Sequence, residues 1–170
     1  MKRKVGLFVL LCLGSILVGC NGMVDGGLIK AKVGYITGIN DKSILVNNTY
    51  FSADKNIEVV SDTGAKLEFT DLEIGVKVEP WFAGAVRESF PAQADAKKIV
   101  VLTDKESEKT KPAVKALVAY AEVNYGKTVV FQEIQETKEY FQVTIAGITL
   151  ENPKPVTLRY NYATKEIEVN

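Results

Sequence analysis

The chain has 170 residues, with 21 basic residues, 21 acidic residues and no histidine. This balance gives no basic surface for nucleic acid, and the lack of histidine removes Ser-His and Cys-His nucleophilic sites and histidine zinc ligands. The two cysteines, Cys12 and Cys20, lie near the N-terminus, so the rest of the chain offers no disulfide and no thiolate metal site. We therefore expect no metal and no cofactor.

The N-terminus has the pattern of an export signal. Lys2-Arg3-Lys4 is a basic start, and residues 5–18 form an uncharged apolar run that is shorter than the ~20 residues a membrane-spanning helix needs. The run ends in Leu-Val-Gly before Cys20, which resembles the lipobox of bacterial lipoproteins. We predict a signal peptide over 1–19 and a diacylglyceryl group on Cys20, because two acyl chains hold a protein stably on a membrane. An ordinary secretory signal with a chance cysteine is the alternative.

The export signal predicts where the protein is located, and a globular domain follows it in the chain. The mature chain is expected on the extracytoplasmic face of the cell membrane, with residues 20–30, rich in glycine, as a flexible lipidated tether. Residues 31–104 then carry the pattern of a β domain. Residues 33–39 alternate in polarity, Asn40-Asp41-Lys42 offers a turn and residues 43–46 are apolar, which predicts a hairpin.

The middle of this domain is less regular. Residues 47–56 look polar and irregular, and residues 57–60 are a short strand candidate. In the strand that begins near residue 76, Pro80 and Gly84 favour an edge position or a strong bend. The alternating apolar positions then shift by one residue, from Ala94 and Ala96 to Ile99 and Val101, which predicts a β-bulge near Lys97-Lys98.

A charged segment, residues 105–111, is predicted to be a linker between two domains. The period then changes to that of a helix, with Pro112 in its first turn and Gly126 at its C-terminal stop. The apolar stripe of this helix comprises Val114, Leu117, Val118, Ala121 and Tyr125.

Four strand candidates complete the second domain, residues 112–170. They run from 130 to 135, from 140 to 146, from 156 to 162 and from 167 to 169. A loop with Gly147 and Pro153 precedes the third. One helix on an antiparallel meander is the simplest arrangement, so this half is predicted to be an α+β module.

The motif Glu88-Ser89-Phe90-Pro91-Ala92-Gln93-Ala94, preceded by Trp81-Phe82, resembles the signature of the YobA-like family. This is a domain-of-unknown-function family of Gram-positive lipoproteins. The resemblance spans residues 33–102, and Gly34-Tyr35-Ile36-Thr37 matches the opening hairpin of the family. It implies a small OB-like five-stranded β-barrel in a mainly β protein, and it carries over no catalytic residue. The second half is similar, in architecture only, to PepSY-like interaction modules.

The motif is also the best candidate for a binding loop. Five of its residues place an aromatic ring, a rigid proline and polar groups on one loop, which suits a peptide or a glycan: Glu88, Ser89, Phe90, Pro91 and Gln93. The alternative is a purely structural loop, in which Pro91 shapes a turn and Phe90 caps the barrel. Trp81 is assigned to the barrel core or to a lid over the barrel rather than to ligand stacking.

The string Asp62-Thr63-Gly64-Ala65 occurs in aspartic proteases, but one copy supplies only one of the two carboxylates that this chemistry needs. It is also what a hairpin turn requires. The preferred hypothesis is therefore a non-enzymatic binding protein of the cell envelope, whose partner is an envelope protein, a peptide or a glycan. The alternative is a hydrolase of peptides or cell-wall glycan that uses carboxylates such as Asp62 or Glu88.

Overall fold

The computed structural model describes residues 24–25, 27–146 and 154–170. The predicted signal peptide over 1–19, Cys20 and the loop at Gly147 and Pro153 lie outside these residues. The described part contains twelve strands, one α-helix and one short 3-10 helix at Phe69–Asp71. The strands and the helix are β1 (Val24–Asp25), β2 (Leu28–Lys30), β3 (Gly34–Asn40), β4 (Ser43–Val46), β5 (Thr49–Ser61), β6 (Lys66–Leu67), β7 (Lys77–Arg87), β8 (Ala92–Val101), α1 (Lys105–Tyr125), β9 (Phe131–Glu136), β10 (Tyr140–Ile145), β11 (Val156–Asn161) and β12 (Ile167–Val169).

Five of these strands close into a barrel. In order around it, β3 pairs with β4, β4 with β5, β5 with β8, β8 with β7, and β7 returns to β3. The β5–β8 pair is parallel and the other four pairs are antiparallel. The predicted OB-like five-stranded barrel is confirmed, and so is the mainly β class of the protein.

The barrel interior is filled by the inward side chains of all five strands, as expected for a small barrel. Leu72, which follows the 3-10 helix, packs against the same core. The buried members from the strands are Ile36, Ile44, Val46, Phe51, Val59, Val78, Phe82, Ala94, Ala96, Ile99 and Val101.

The prediction of an irregular segment at residues 47–56 is wrong, because β5 runs unbroken from Thr49 to Ser61. Three of its central residues, Asp54, Lys55 and Asn56, are polar and exposed because they lie in a bulge of the strand. The register passes from Ala53 opposite Ala96 to Glu58 opposite Lys98, so four residues of β5 face one of β8. The three exposed residues need no apolar side chain, so this part of the strand lacks the alternation that marks a strand.

Of the two alternatives for the strand with Pro80 and Gly84, an edge position or a strong bend, the edge position is wrong. β7 lies inside the sheet, with β8 on one side and both β2 and β3 on the other. Pro80 is tolerated because it falls between the β3 partners and the β2 partners, where its carbonyl accepts from Ala31 N–H at 2.8 Å. The predicted bulge is confirmed, since Trp81 faces Lys98 and Phe82 faces Ala96, leaving Lys97 unpaired.

The second half folds as predicted, with an antiparallel meander in the order β12-β11-β10-β9. One face of this sheet is covered by α1, whose buried stripe includes Val114, Leu117, Val118 and Ala121. Gly126 ends the helix at φ 116°, a backbone conformation that glycine adopts easily.

The predicted linker at residues 105–111 is wrong, because α1 begins at Lys105. Asp104 caps the helix by accepting from the backbone N–H groups of Glu106 and Ser107. The buried residues of the first two turns, Ser107 and Thr110, are polar, so no apolar stripe marked this part of the helix. Pro112 therefore lies inside the helix and not in its first turn.

The predicted tether over 20–30 is contradicted where the structure describes it. β1 and β2 form a short antiparallel pair, and β2 joins the barrel sheet through Ile29 opposite Phe82 and Lys30 opposite Trp81. Lys30 also forms an ion pair of 2.7 Å with Glu79. Strand pairing and an ion pair thus dock a segment that its glycines suggested to be flexible.

The two halves pack directly on each other. Tyr35 points out of the barrel into the core of the second half, where its ring meets Phe141 edge-on at 5.5 Å between ring centres. A second contact buries Leu45 of the barrel against Val130 and Ala146. These contacts bring the start of β9 next to the β4–β5 turn of the barrel.

Candidate binding site

The loop between β7 and β8 holds most of the predicted site residues. Glu88, Ser89 and Phe90 are exposed, and Phe90 leaves 58% of its surface open to solvent. The Ser89 hydroxyl donates to the Pro91 carbonyl at 2.6 Å, across a cis Phe90–Pro91 bond. The alternative prediction that Phe90 caps the barrel is wrong, because the Phe90 ring does not pack against the buried barrel core.

The base of this loop is fixed by an ion pair. Arg87 donates through both terminal nitrogens to the Asp95 carboxylate, at 3.1 and 3.0 Å. This pairing holds the pKa of Asp95 below its usual range. Gln93, the last predicted site residue, is exposed on β8 opposite Arg87.

Phe90 stands at the wall of a groove of about 450 Å³ between the two halves of the molecule. We call it the Phe90 groove. Its barrel side consists of Phe90, Lys32, Asn47 and Asn48, and its other side is the segment Val130–Glu133 at the start of β9. The groove thus combines one exposed aromatic ring, three side-chain amides and one charge of each sign.

The barrel wall of the groove is shaped by the β4–β5 turn. Asn47 adopts φ 55°, a left-handed conformation that asparagine tolerates better than most residues. Its side-chain amide donates to the Lys32 carbonyl at 3.2 Å, which joins two segments that line the groove. No local sequence pattern connects these residues with Phe90, because only the barrel closure and the docking of β9 bring them together.

Trp81 lies elsewhere and closes no opening of the barrel. Its neighbours Pro80 and Phe82 are buried, so strand alternation places the indole on the outer face. Its ring nitrogen donates to Glu79 at 2.9 Å, and the Lys30 amine lies 5.6 Å from its ring centre. Both assignments for Trp81, to the barrel core and to a lid, are therefore wrong.

The two carboxylates named for hydrolysis lie at opposite ends of β8. Glu88 precedes the start of this strand, whereas Asp62 follows Ser61, which pairs with its last residue. Ten strand residues span on the order of 30 Å, while paired glycosidase carboxylates lie within about 10 Å. Asp62 instead accepts a hydrogen bond of 2.6 Å from the Thr103 hydroxyl. Asp62 lies in a turn that Gly64 completes at φ 87°. The two groups form no catalytic pair within one chain.

One polar cluster that is partly exposed to solvent was not predicted from the sequence. The Tyr162 hydroxyl donates to Glu136 at 3.3 Å, and the Lys109 amine lies 3.2 Å from the same carboxylate oxygen. Burial, with the charge of Glu136 nearby, raises the pKa of Tyr162. Burial also raises the pKa of Tyr35. The cluster fastens α1 to the second sheet, and Lys109 covers the Tyr162 ring at 4.1 Å from its centre.

In the part of the chain that the structure describes, no three histidine, cysteine, aspartate or glutamate side chains gather as a metal site. Among the same residues, no helix is both long and apolar enough to cross a membrane.

Comparison with known proteins identifies one domain. Residues 33–103 match the family model described as "Protein of unknown function (DUF3221)". The searches of curated proteins and of solved structures gave no match. The prediction of a domain of unknown function over the barrel is thus confirmed, and its residues 88–91 contribute the exposed loop of the Phe90 groove.

Proposed function

We propose that this chain, whose residues 33–103 form a domain of unknown function, is a lipoprotein of the extracytoplasmic cell surface that binds an envelope protein without catalysis. Cys20 carries the lipid, and the barrel domain belongs with the YobA-like lipoproteins of Gram-positive bacteria. The observation that carries the binding role is Phe90, a large apolar side chain left exposed beside a groove. Exposed aromatic residues at grooves with polar walls are frequent binding hot spots.

A peptide segment of a protein suits the groove better than a glycan does. Lys32 and Glu133 offer opposite charges on its two sides, which match the mixed charges of a peptide. A single exposed aromatic ring supplies an apolar contact for one side chain. The amides of Asn47 and Asn48 can donate to and accept from a peptide backbone.

The binding role is tested by photo-crosslinking in intact cells. A photoreactive phenylalanine analogue at position 90 should give a discrete adduct with another envelope protein. The control places the same analogue at Val123, which is 85% exposed on α1 and does not line the groove. No adduct, or the same adduct from both positions, would contradict the proposal, and a sugar adduct would assign the groove to a glycan.

The anchor is tested separately with Cys20→Ala. We expect the unaltered protein in the membrane fraction, with a mass that corresponds to cleavage before Cys20 and addition of a diacylglyceryl group. The variant should lose the lipid and leave the membrane. An unaltered protein that is found in the medium without lipid would show that the lipobox assignment is wrong.

A further inference from the structure

The second sheet has a free edge at β9. This edge pairs with no strand among residues 24–25, 27–146 and 154–170. β9 contains neither lysine nor proline, two residues with which natural proteins protect an edge from pairing. Ile134 is 42% exposed, whereas Val143, its cross-strand neighbour on the face that α1 covers, is fully buried. The aliphatic side chain of Ile134 is thus partly exposed next to the position that a further strand would occupy.

A row of polar side chains leads across the opposite face of the sheet to this edge. Glu168, Arg159, Gln142 and Gln135 are successive cross-strand neighbours on β12, β11, β10 and β9. Arg159 donates to the Gln142 oxygen at 3.1 and 3.0 Å, and the Gln142 nitrogen donates to the Gln135 oxygen at 3.3 Å. Arginine only donates, so it fixes the orientation of both amides. The amide nitrogen of Gln135 is therefore the donor that this row offers at the edge.

The sequence of β9 is complementary to itself in the antiparallel direction. Residues 132–136 read Gln-Glu-Ile-Gln-Glu. When two copies pair with Ile134 opposite Ile134, Glu133 lies opposite Gln135 on both sides. The free amide nitrogen of each Gln135 then meets a carboxylate, and no like charges lie directly opposite each other. A register shift at Gln132 limits the regular pairing to the residues around Ile134.

We propose that two copies of this chain associate through β9, in an antiparallel pairing centred on Ile134 that joins two four-stranded sheets into one of eight strands. This inference goes beyond the proposed function. Among the residues of the pairing, Gln132 and Glu133 also line the Phe90 groove, and Ile134, Gln135 and Glu136 do not. The pairing covers both exposed Ile134 side chains and gives each edge a backbone partner.

A cysteine scan of the full-length protein in cell membranes tests the pairing. Directly opposed residues of antiparallel strands have Cα atoms about 4.5 to 5.5 Å apart, within the range of a disulfide. Under mild oxidation, Ile134→Cys should give several-fold more disulfide-linked dimer than Glu133→Cys or Gln135→Cys. Val169→Cys, exposed on the opposite edge strand β12, is the matched control. The unaltered protein shows the background of disulfide-linked dimer without an introduced cysteine.

The result that overturns the proposal is an Ile134→Cys dimer no stronger than that of Val169→Cys, or a maximum at position 133 or 135. A disulfide between position 134 and a different protein would assign the edge to that partner and also overturn it. Sedimentation of the purified full chain gives a second test. The unaltered protein should dimerise as its concentration rises, whereas Ile134→Lys, which puts two like charges opposite each other, should stay monomeric. An unaltered protein that is monomeric throughout would contradict the pairing.

Discussion

Glu73 links the barrel to α1 through two ion pairs. Its carboxylate lies 2.6 Å from the Lys111 amine and 2.7 Å from the Lys115 amine. Hydrogen bonds from Lys111 and then Lys115 lower the pKa of Glu73 to about 2. A carboxyl group whose pKa is lower in the folded state stabilises the fold above its unfolded pKa, and this contribution is lost as the pH falls towards the folded pKa.

We predict that Glu73→Gln lowers the free energy of unfolding at neutral pH by about 1 kcal/mol or less, because the site is largely exposed to solvent. The difference from the unaltered protein should shrink as the pH falls from about 4.5 to about 2. Urea unfolding over a pH series measures it. Glu122→Gln, an exposed position on the same helix, should change little at any pH. A difference that stays constant down to pH 2 would show that the charge is not its source.

Pro112 lies inside α1 at an exposed position. It removes the backbone N–H that would donate to the Glu108 carbonyl, and a proline inside a helix is about 3 kcal/mol less favourable than alanine. Because proline also restricts the unfolded chain by about 0.4 to 1 kcal/mol, we predict that Pro112→Ala raises the free energy of unfolding by about 2 kcal/mol. Chemical denaturation measures this change. Ala119→Gly, at an exposed position of the same helix, should lower the free energy of unfolding by about 1 kcal/mol. A Pro112→Ala variant that is less stable than the unaltered protein would contradict the prediction.

The elements that sequence patterns predicted well are those whose pattern is local. The Asn40 turn marked the β3–β4 hairpin, and the shifted parity before Ile99 marked the bulge at Lys97. The elements that were missed have polar residues where the pattern requires apolar ones. In β5 the bulge exposes Asp54, Lys55 and Asn56 to solvent, and in the first turns of α1 the buried residues are Ser107 and Thr110. Tertiary contacts, which no local pattern encodes, decide both cases.

The sequence predicted one wall of the candidate site and missed the other. The Phe90 loop is visible in the sequence because its proline, aromatic and polar residues are contiguous. The opposite wall, residues 130–133, lies some forty positions further along the chain, and it comes next to Phe90 where Val130 packs on Leu45 of the barrel. Trp81 was misplaced because strand alternation, not residue type, determines which face it occupies.

At the scale of the whole molecule, the barrel and the second half share one interface. Tyr35 belongs to a barrel strand but is buried in the core under α1, against Phe141. The Lys77 amine of the barrel also lies 3.5 Å from the Glu106 carboxylate of α1, so the contact is polar as well as apolar. Loss of the second half would expose this side of β3 to water. We therefore expect the two parts to unfold together although their strands form separate sheets.

The last prediction tests this coupling with Phe141→Ala. Phe141 is fully buried in the second half, and truncation of a buried phenylalanine to alanine costs about 3 to 5 kcal/mol. Trp81, the only tryptophan, reports on the barrel by fluorescence, whereas far-ultraviolet circular dichroism reports mainly on α1. Both signals should shift to the same lower urea concentration, as a two-state transition requires. Phe141→Leu gives a milder shift if the alanine variant does not fold. A fluorescence midpoint that stays in place while the helix signal moves would show that the barrel is stable without its partner, so that the interface at Tyr35 joins two independent domains.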